Sequence, residues 1–101
     1  MTRILVTERA KQDLRDILTD LNHRAGHVVA SRYAADFKNI YRRLIRFAAS
    51  GPPRLSLGPK ARIKFVHPYV VIYDHDAEAD TAIVLRVLHG RRDITVKLIS
   101  R

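Results

Sequence analysis

The stretch TAIVLRVLHGRRD, from Thr81 to Asp93, decides how the rest of the chain is understood. Ile83, Val84, Leu85, Val87 and Leu88 form a nearly continuous apolar run, rich in β-branched residues and too short for a free-standing helix. Such a run is typical of an interior strand, and it is taken here as the central one. His89, Gly90, Arg91, Arg92 and Asp93 follow it directly, with Gly90 permitting a turn that other residues resist and two guanidinium groups side by side. Arg86 interrupts the apolar run. Its alkyl stem can lie along the sheet while its head reaches either the rim or an internal acid such as Asp74, so a structural and a binding role both stand open.

Before this strand, Tyr69 to Tyr73 and Arg62 to Val66 have strand composition, separated by a turn at His67 and Pro68 and followed by an acidic segment from Asp74 to Asp80. Together the three strands make an antiparallel meander. Ser50, Gly51, Pro52 and Pro53 end the preceding element, since proline lacks the amide hydrogen and fixes its own φ. That element is a helix from about His27 to Ala49, with Ala30, Tyr33, Ala34, Phe37, Ile40, Tyr41, Leu44, Ile45 and Ala48 on one stripe. A first helix, begun by an N-cap at Thr7 and an acid at Glu8, carries Leu14, Ile17, Leu18 and Leu21 at i, i+3, i+4 and i+7 and ends near His23, with Gly26 as the breaker. Ile4 to Val6 are a short strand, expected away from the second strand because no tight turn joins the two. For Thr95 to Ile99 a strand and a tail both remain open. The fold class is α+β: an N-terminal strand, then an antiparallel helical hairpin packed on a four-stranded, mainly antiparallel sheet, in the order β-α-α-β-β-β.

A chain of 101 residues is one domain, here 1–101, with 47% hydrophobic residues for a modest core. It has no cysteine, which excludes disulfides and thiolate metal sites. No apolar run approaches the roughly 20 residues that span a bilayer, and a cytoplasmic location is expected. The net charge of +9 favours an acidic partner, nucleic acid or protein. Between Phe37 and Tyr73 there are eight basic residues and no acid, whereas four of the ten acids (Asp74, Asp76, Glu78, Asp80) fall in one segment. The positive field is therefore regional.

The segment LRVLHGRRD, placed after two helices and two strands at this spacing, resembles the ParE/RelE superfamily of toxins, the ParE branch in particular. The resemblance implies the toxin of a type II toxin–antitoxin pair. It also implies a cognate ParD-like antitoxin whose acidic tail wraps the helical hairpin and the sheet edge in a hetero-oligomer, DNA gyrase as the target of a non-catalytic binder, and no cofactor. RelE-like members instead cut messenger RNA on the ribosome, and the fold is common to both. For those ribonucleases the resemblance implies basic residues on the second strand, which Arg62 and Lys64 match, and an arginine after the last strand, which Arg91 or Arg92 matches. It also implies an arginine near the start of the third strand, where Val70 stands, and often a C-terminal tyrosine or histidine, of which there is none beyond Asp93. The incomplete set favours the ParE branch, with a RelE-like mRNA endonuclease or a non-toxic basic RNA-binding domain as alternatives.

The candidates for target or anion binding are thus Arg62, Lys64, Arg86, His89, Arg91 and Arg92, of which Arg91 and Arg92 with Arg62 and Lys64 would form a basic patch at the open end of the sheet. The bland alternative is a solubilising loop. No catalytic residue is assigned. The five histidines lie in five places, so no metal site is expected, and His89 alone neighbours the basic loop as a possible general acid or base. A turn histidine is the simpler role for it. Tyr33, Phe37 and Tyr41, at every fourth residue of an apolar stripe, belong to the core and not to a base-stacking surface. No Gly-rich phosphate loop or nucleophile elbow is present.

Overall fold

Side chains of successive strand residues point to opposite faces, so a strand apolar at every position needs cover on both sides. The computed structural model, which describes residues 2–99 and 101, provides it. The chain runs β1 (Arg3–Val6), α1 (Glu8–Ala25), α2 (His27–Arg46), β2 (Ala61–Val66), β3 (Tyr69–Asp76), β4 (Thr81–His89) and α3 (Val96–Ile99), with single-turn 3-10 helices at Ala48–Ser50 and Leu55–Leu57. The sheet order is β1-β4-β3-β2, with β1 parallel to β4 and the other pairs antiparallel, so β4 is interior and β1 lies at the edge. The order β-α-α-β-β-β and the α+β class are those expected.

On one face, Phe37 and Leu44 of α2 and Ala10 and Leu21 of α1 pack against Val71, Tyr73, Val84 and Val87. Thr7 caps α1 by accepting the Ala10 N–H (3.1 Å), and Gly26, at φ 90°, makes the break between the helices that a side chain would resist. Helix α2 stops at Arg46, short of the expected Ala49, because Phe47 leaves helical geometry and Ala48–Ser50 tightens into a 3-10 turn. Tyr73 holds that turn from below: its hydroxyl donates to the Ala48 carbonyl (2.6 Å) and accepts the Gly51 N–H (3.0 Å). Tyr69 and Tyr73 are both buried. Strand β3 continues past Tyr73 to Asp76 by pairing with Ile83, Ala82 and Thr81, which shortens the acidic turn.

The second face is covered as well. Leu57, Ile94, Leu98 and Ile99 pack on Ile63, Val70, Ile72, Leu85 and Leu88. Residues 96–99, expected as a strand or a tail, form one helical turn instead, which turns Ile99 onto the sheet. What ties this cover down is Arg86. Strand β1 pairs with β4 only as far as Val84, and beyond it the edge of β4 is met by α1: Thr7 donates to the Leu85 carbonyl (3.0 Å), and Asp13 accepts the Val87 N–H (3.0 Å). At the same place a β-bulge leaves Leu85 unmatched between the pairs Tyr73–Val84 and Ile72–Arg86. Arg86, 3% exposed, forms a two-point ion pair with Asp13 (2.7 and 2.9 Å) and donates a third bond to the Leu98 carbonyl (2.7 Å). Asp74 is not its partner. Asp74 pairs with Ile83, three positions along β4 and so about 10 Å away. It receives Arg101 instead, also at two points (2.6 Å each), with a third bond from Arg101 to the Leu57 carbonyl (2.7 Å).

Replacing Arg86 by Met is expected to cost about 3–5 kcal/mol, because Asp13 would keep a buried charge without its partner. Urea midpoints measure this, and a loss below about 1 kcal/mol would mean that the pair behaves as a surface pair. Alkaline pH tests the core separately. Burial pushes the Tyr41 hydroxyl up to about 12 and also raises Tyr69 and Tyr73. The folded state therefore holds protons that the unfolded chain releases near pH 10, and stability should fall as pH rises from about 10 to 12. Tyr41→Phe should blunt that fall at little cost near pH 7, since its buried hydroxyl has no partner among the described residues; a fall of equal depth in the variant would contradict this.

Candidate functional site

At the end of β4, the chain turns away from the sheet through His89 and Gly90. Gly90 sits where crowding, and not a left-handed backbone, disfavours a side chain: its N–H donates to the Pro68 carbonyl (2.8 Å), and a Cβ there would lie 3.0 Å from that oxygen. The His89 ring packs edge-on against Tyr69 (5.7 Å between centroids), and its Nδ1 accepts the Arg91 N–H (3.0 Å). A neutral ring so bonded carries its proton on Nε2, which is a donor and not a base. Arg91 and Arg92, both exposed, follow at once.

Arg92 borders a slot of about 260 Å³ on the second face, between the Leu55–Leu57 turn and the C-terminal segment. Its floor is Ile63, Val70 and Ile72, and its walls include Leu57 and Ile94. Arg54 stands at its mouth with Arg92 and Asp93, and Phe65, 49% exposed, forms a lip. The slot thus has aliphatic side chains at its base and charged ones, Arg54, Arg92 and Asp93, around it, and more of its open lining is polar than apolar. Arg92 also borders a depression on the helical side with Asp16 and His89.

The structure does not assemble the whole expected patch. Alternation along β2 turns Arg62 and Lys64 to the helical face, paired across the strand with Tyr73 and Val71, away from the slot. Arg62 is further committed, donating to the Ala49 (3.0 Å) and Gly51 (2.7 Å) carbonyls. Arg86 is buried in its ion pair, whose hydrogen bonds to Asp13 hold its pKa above the usual arginine value, and it faces no open surface. His89, Arg91 and Arg92 remain at the sheet end. Arg54, Phe65 and Ile94 were not anticipated; the signal for Phe65 lay in alternation, which puts it with Ile63 on the face opposite Lys64.

A second concave surface, a groove of about 590 Å³, runs between α2 and β2. Arg32 and Arg43 flank it, with Ile40 and Phe65 as apolar lining. Residues 52–54 cover the first half of the outer edge of β2, through Ile63 N–H to Pro52 (3.1 Å) and Arg54 N–H to Ala61 (2.8 Å). Beyond Ile63 no described strand pairs with that edge. Among the described residues no group of histidines and acids could hold a metal ion, and no helix is long and apolar enough to cross a membrane.

Comparison with known proteins gives a family match and two similar folds. The sequence matches the family described as ParE toxin of type II toxin-antitoxin system, parDE, over residues 4–94. A chain of the chromosomal ParDE toxin–antitoxin system of P. aeruginosa superposes with a TM-score of 0.72 at 21% identity, covering 88% of this chain and 96% of its own. A chain of the RelBE2 toxin–antitoxin complex of Mycobacterium tuberculosis gives 0.54 at 24% identity, covering 87% and 96%. At these identities the structural likeness is one of fold. No curated protein sequence matches the chain.

Proposed function

This chain belongs to the ParE toxin family of type II toxin–antitoxin systems, and from that premise we propose that it disables DNA gyrase by contact, without chemistry of its own. One observation carries the choice over RNA cleavage: the cationic end of β4 opens onto an aliphatic floor, while the nearby proton-transfer groups stand off it, Asp93 on the outer lip and His89 with its Nδ1 engaged. Cleavage at a phosphodiester needs a base for the 2′-hydroxyl and a donor to the leaving oxygen. Here Val70 is buried in the floor, Arg62 is held by two backbone carbonyls, and the Nδ1 of His89 is occupied by the Arg91 N–H. What remains is a rigid strand presenting exposed arginines, suited to gripping carboxylates of an acidic partner. Such a toxin acts in the cytoplasm, where its target is.

A cognate antitoxin of the ParD kind is the second partner in this reading. The groove between α2 and the open half of β2 supports it: an extended acidic segment could add to the strand edge beyond Ile63 while Arg32 and Arg43 meet its carboxylates. That surface lies apart from Arg91 and Arg92, which leaves room for a toxin–antitoxin hetero-oligomer.

Supercoiling by purified gyrase tests the target. The purified chain should inhibit it, Arg91→Glu/Arg92→Glu should relieve inhibition and growth arrest with the thermal midpoint kept, and His89→Ala should change little. A ribonuclease would instead lose about 10²- to 10⁴-fold in rate with its proton-transfer group. Transcripts cut on ribosomes during expression, with supercoiling intact, would overturn the proposal.

A further inference from the structure

The slot beside Arg92 has a shape and chemistry that exposed arginines alone do not explain. At about 260 Å³ it falls below the roughly 300–1,000 Å³ of pockets that hold drug-sized ligands, but it has room for one large side chain. Ile63, Val70 and Ile72 under it are each 5% exposed or less, so the floor is fixed by the sheet. At the mouth stand Arg54 and Arg92, and Phe65 leaves half of its ring uncovered, stacked on His67 (5.8 Å). Asp93, on the same lip as Arg92, disfavours a second carboxylate there.

We propose that this slot binds one apolar side chain of the target protein, flanked by a carboxylate that lies between Arg54 and Arg92. The inference rests on the reading of the chain as a toxin that acts by contact, and it names the part of the target that is gripped. A nucleotide fits less well: the floor and walls are aliphatic, and a base seated there would leave its hydrogen-bonding edges unpaired. An apolar side chain has no such edges, and the cationic mouth selects an acidic neighbour. A buried apolar anchor ringed by polar contacts is the arrangement that dominates protein interfaces.

Chemical-shift mapping with three probes tests the slot on the whole chain. N-acetylphenylalanine, which has ring and carboxylate, should shift the amides of Gly90, Arg92 and Ile94. Its amide derivative, lacking the carboxylate, should bind about tenfold more weakly, and Arg54→Gln should weaken the acid to a similar degree. AMP shifting these amides more strongly than N-acetylphenylalanine would make the slot a nucleotide site and overturn the proposal, as would no response to any probe. Function is tested by Ile94→Ser/Arg54→Glu, two residues that line the slot and not the groove along α2, which should lose inhibition of supercoiling while still binding the antitoxin. Full inhibition by that variant would show that the target is not held there. Should the natural chain fail to inhibit gyrase, the target assignment falls, while the three probes still decide whether the slot takes an apolar acid.

Discussion

The buried guanidinium of Arg86 joins three parts of the structure: the helical hairpin, the central strand and the C-terminal cover. Two of its nitrogens hold Asp13 of α1 on the helical side, a third holds the Leu98 carbonyl of the C-terminal cover, and its own backbone lies in the central strand. Burying a charge is costly unless it is paired and hydrogen-bonded, and here the pair sits at 4% and 12% side-chain exposure with a partner for each guanidinium nitrogen. Asp13 does further work by accepting the Val87 N–H, which would be an open strand edge where β1 ends. Arg101 repeats the pattern nearer β2, with two bonds to Asp74 and one to Leu57. The cover of the second face is therefore held at two points by charge as well as by Leu57, Leu98 and Ile99.

That cover shapes the surface on which the proposed function depends. The slot exists because the Leu55–Leu57 turn and the C-terminal segment both lie on the sheet and leave a gap between them. Residues at its mouth come from separate parts of the chain, Arg54 before β2 and Arg92 after β4, and a fixed sheet between them sets their spacing. The groove along α2 lies on the helical side of β2, where the outer edge is only half covered, and it meets the slot at Phe65. A toxin that is both restrained by one protein and directed at another needs two such surfaces, and here they share Phe65.

Much of the architecture was legible because it rests on periodicity. The stripe of α2, the N-cap at Thr7 and the unbroken apolar run of β4 each signal their element locally. The site was less legible because it rests on contacts distant in sequence. Arg86 was visible as an anomaly, yet its partner Asp13 lies 73 residues away on α1. The β-bulge at Leu85 has no signature in the sequence, and it sets which way Arg86 faces. Alternation alone would have separated Arg62 and Lys64 from the apolar floor of Ile63, but counting basic residues grouped them with Arg91 and Arg92. The short helix Val96–Ile99 is one turn long, too short for a period to show.

If Arg86 couples the two faces, the coupling is measurable without reference to any target. A double-mutant cycle between Asp13→Asn on the helical face and Ile99→Ala on the opposite cover, read by urea unfolding, isolates it. Sites with no shared partner normally add within about 0.3–0.5 kcal/mol. Transmission through Arg86 predicts a departure from additivity of more than about 0.5 kcal/mol, vanishing when the cycle is repeated in Arg86→Met. Additive losses in the natural background would contradict it, and the two faces would then be held independently.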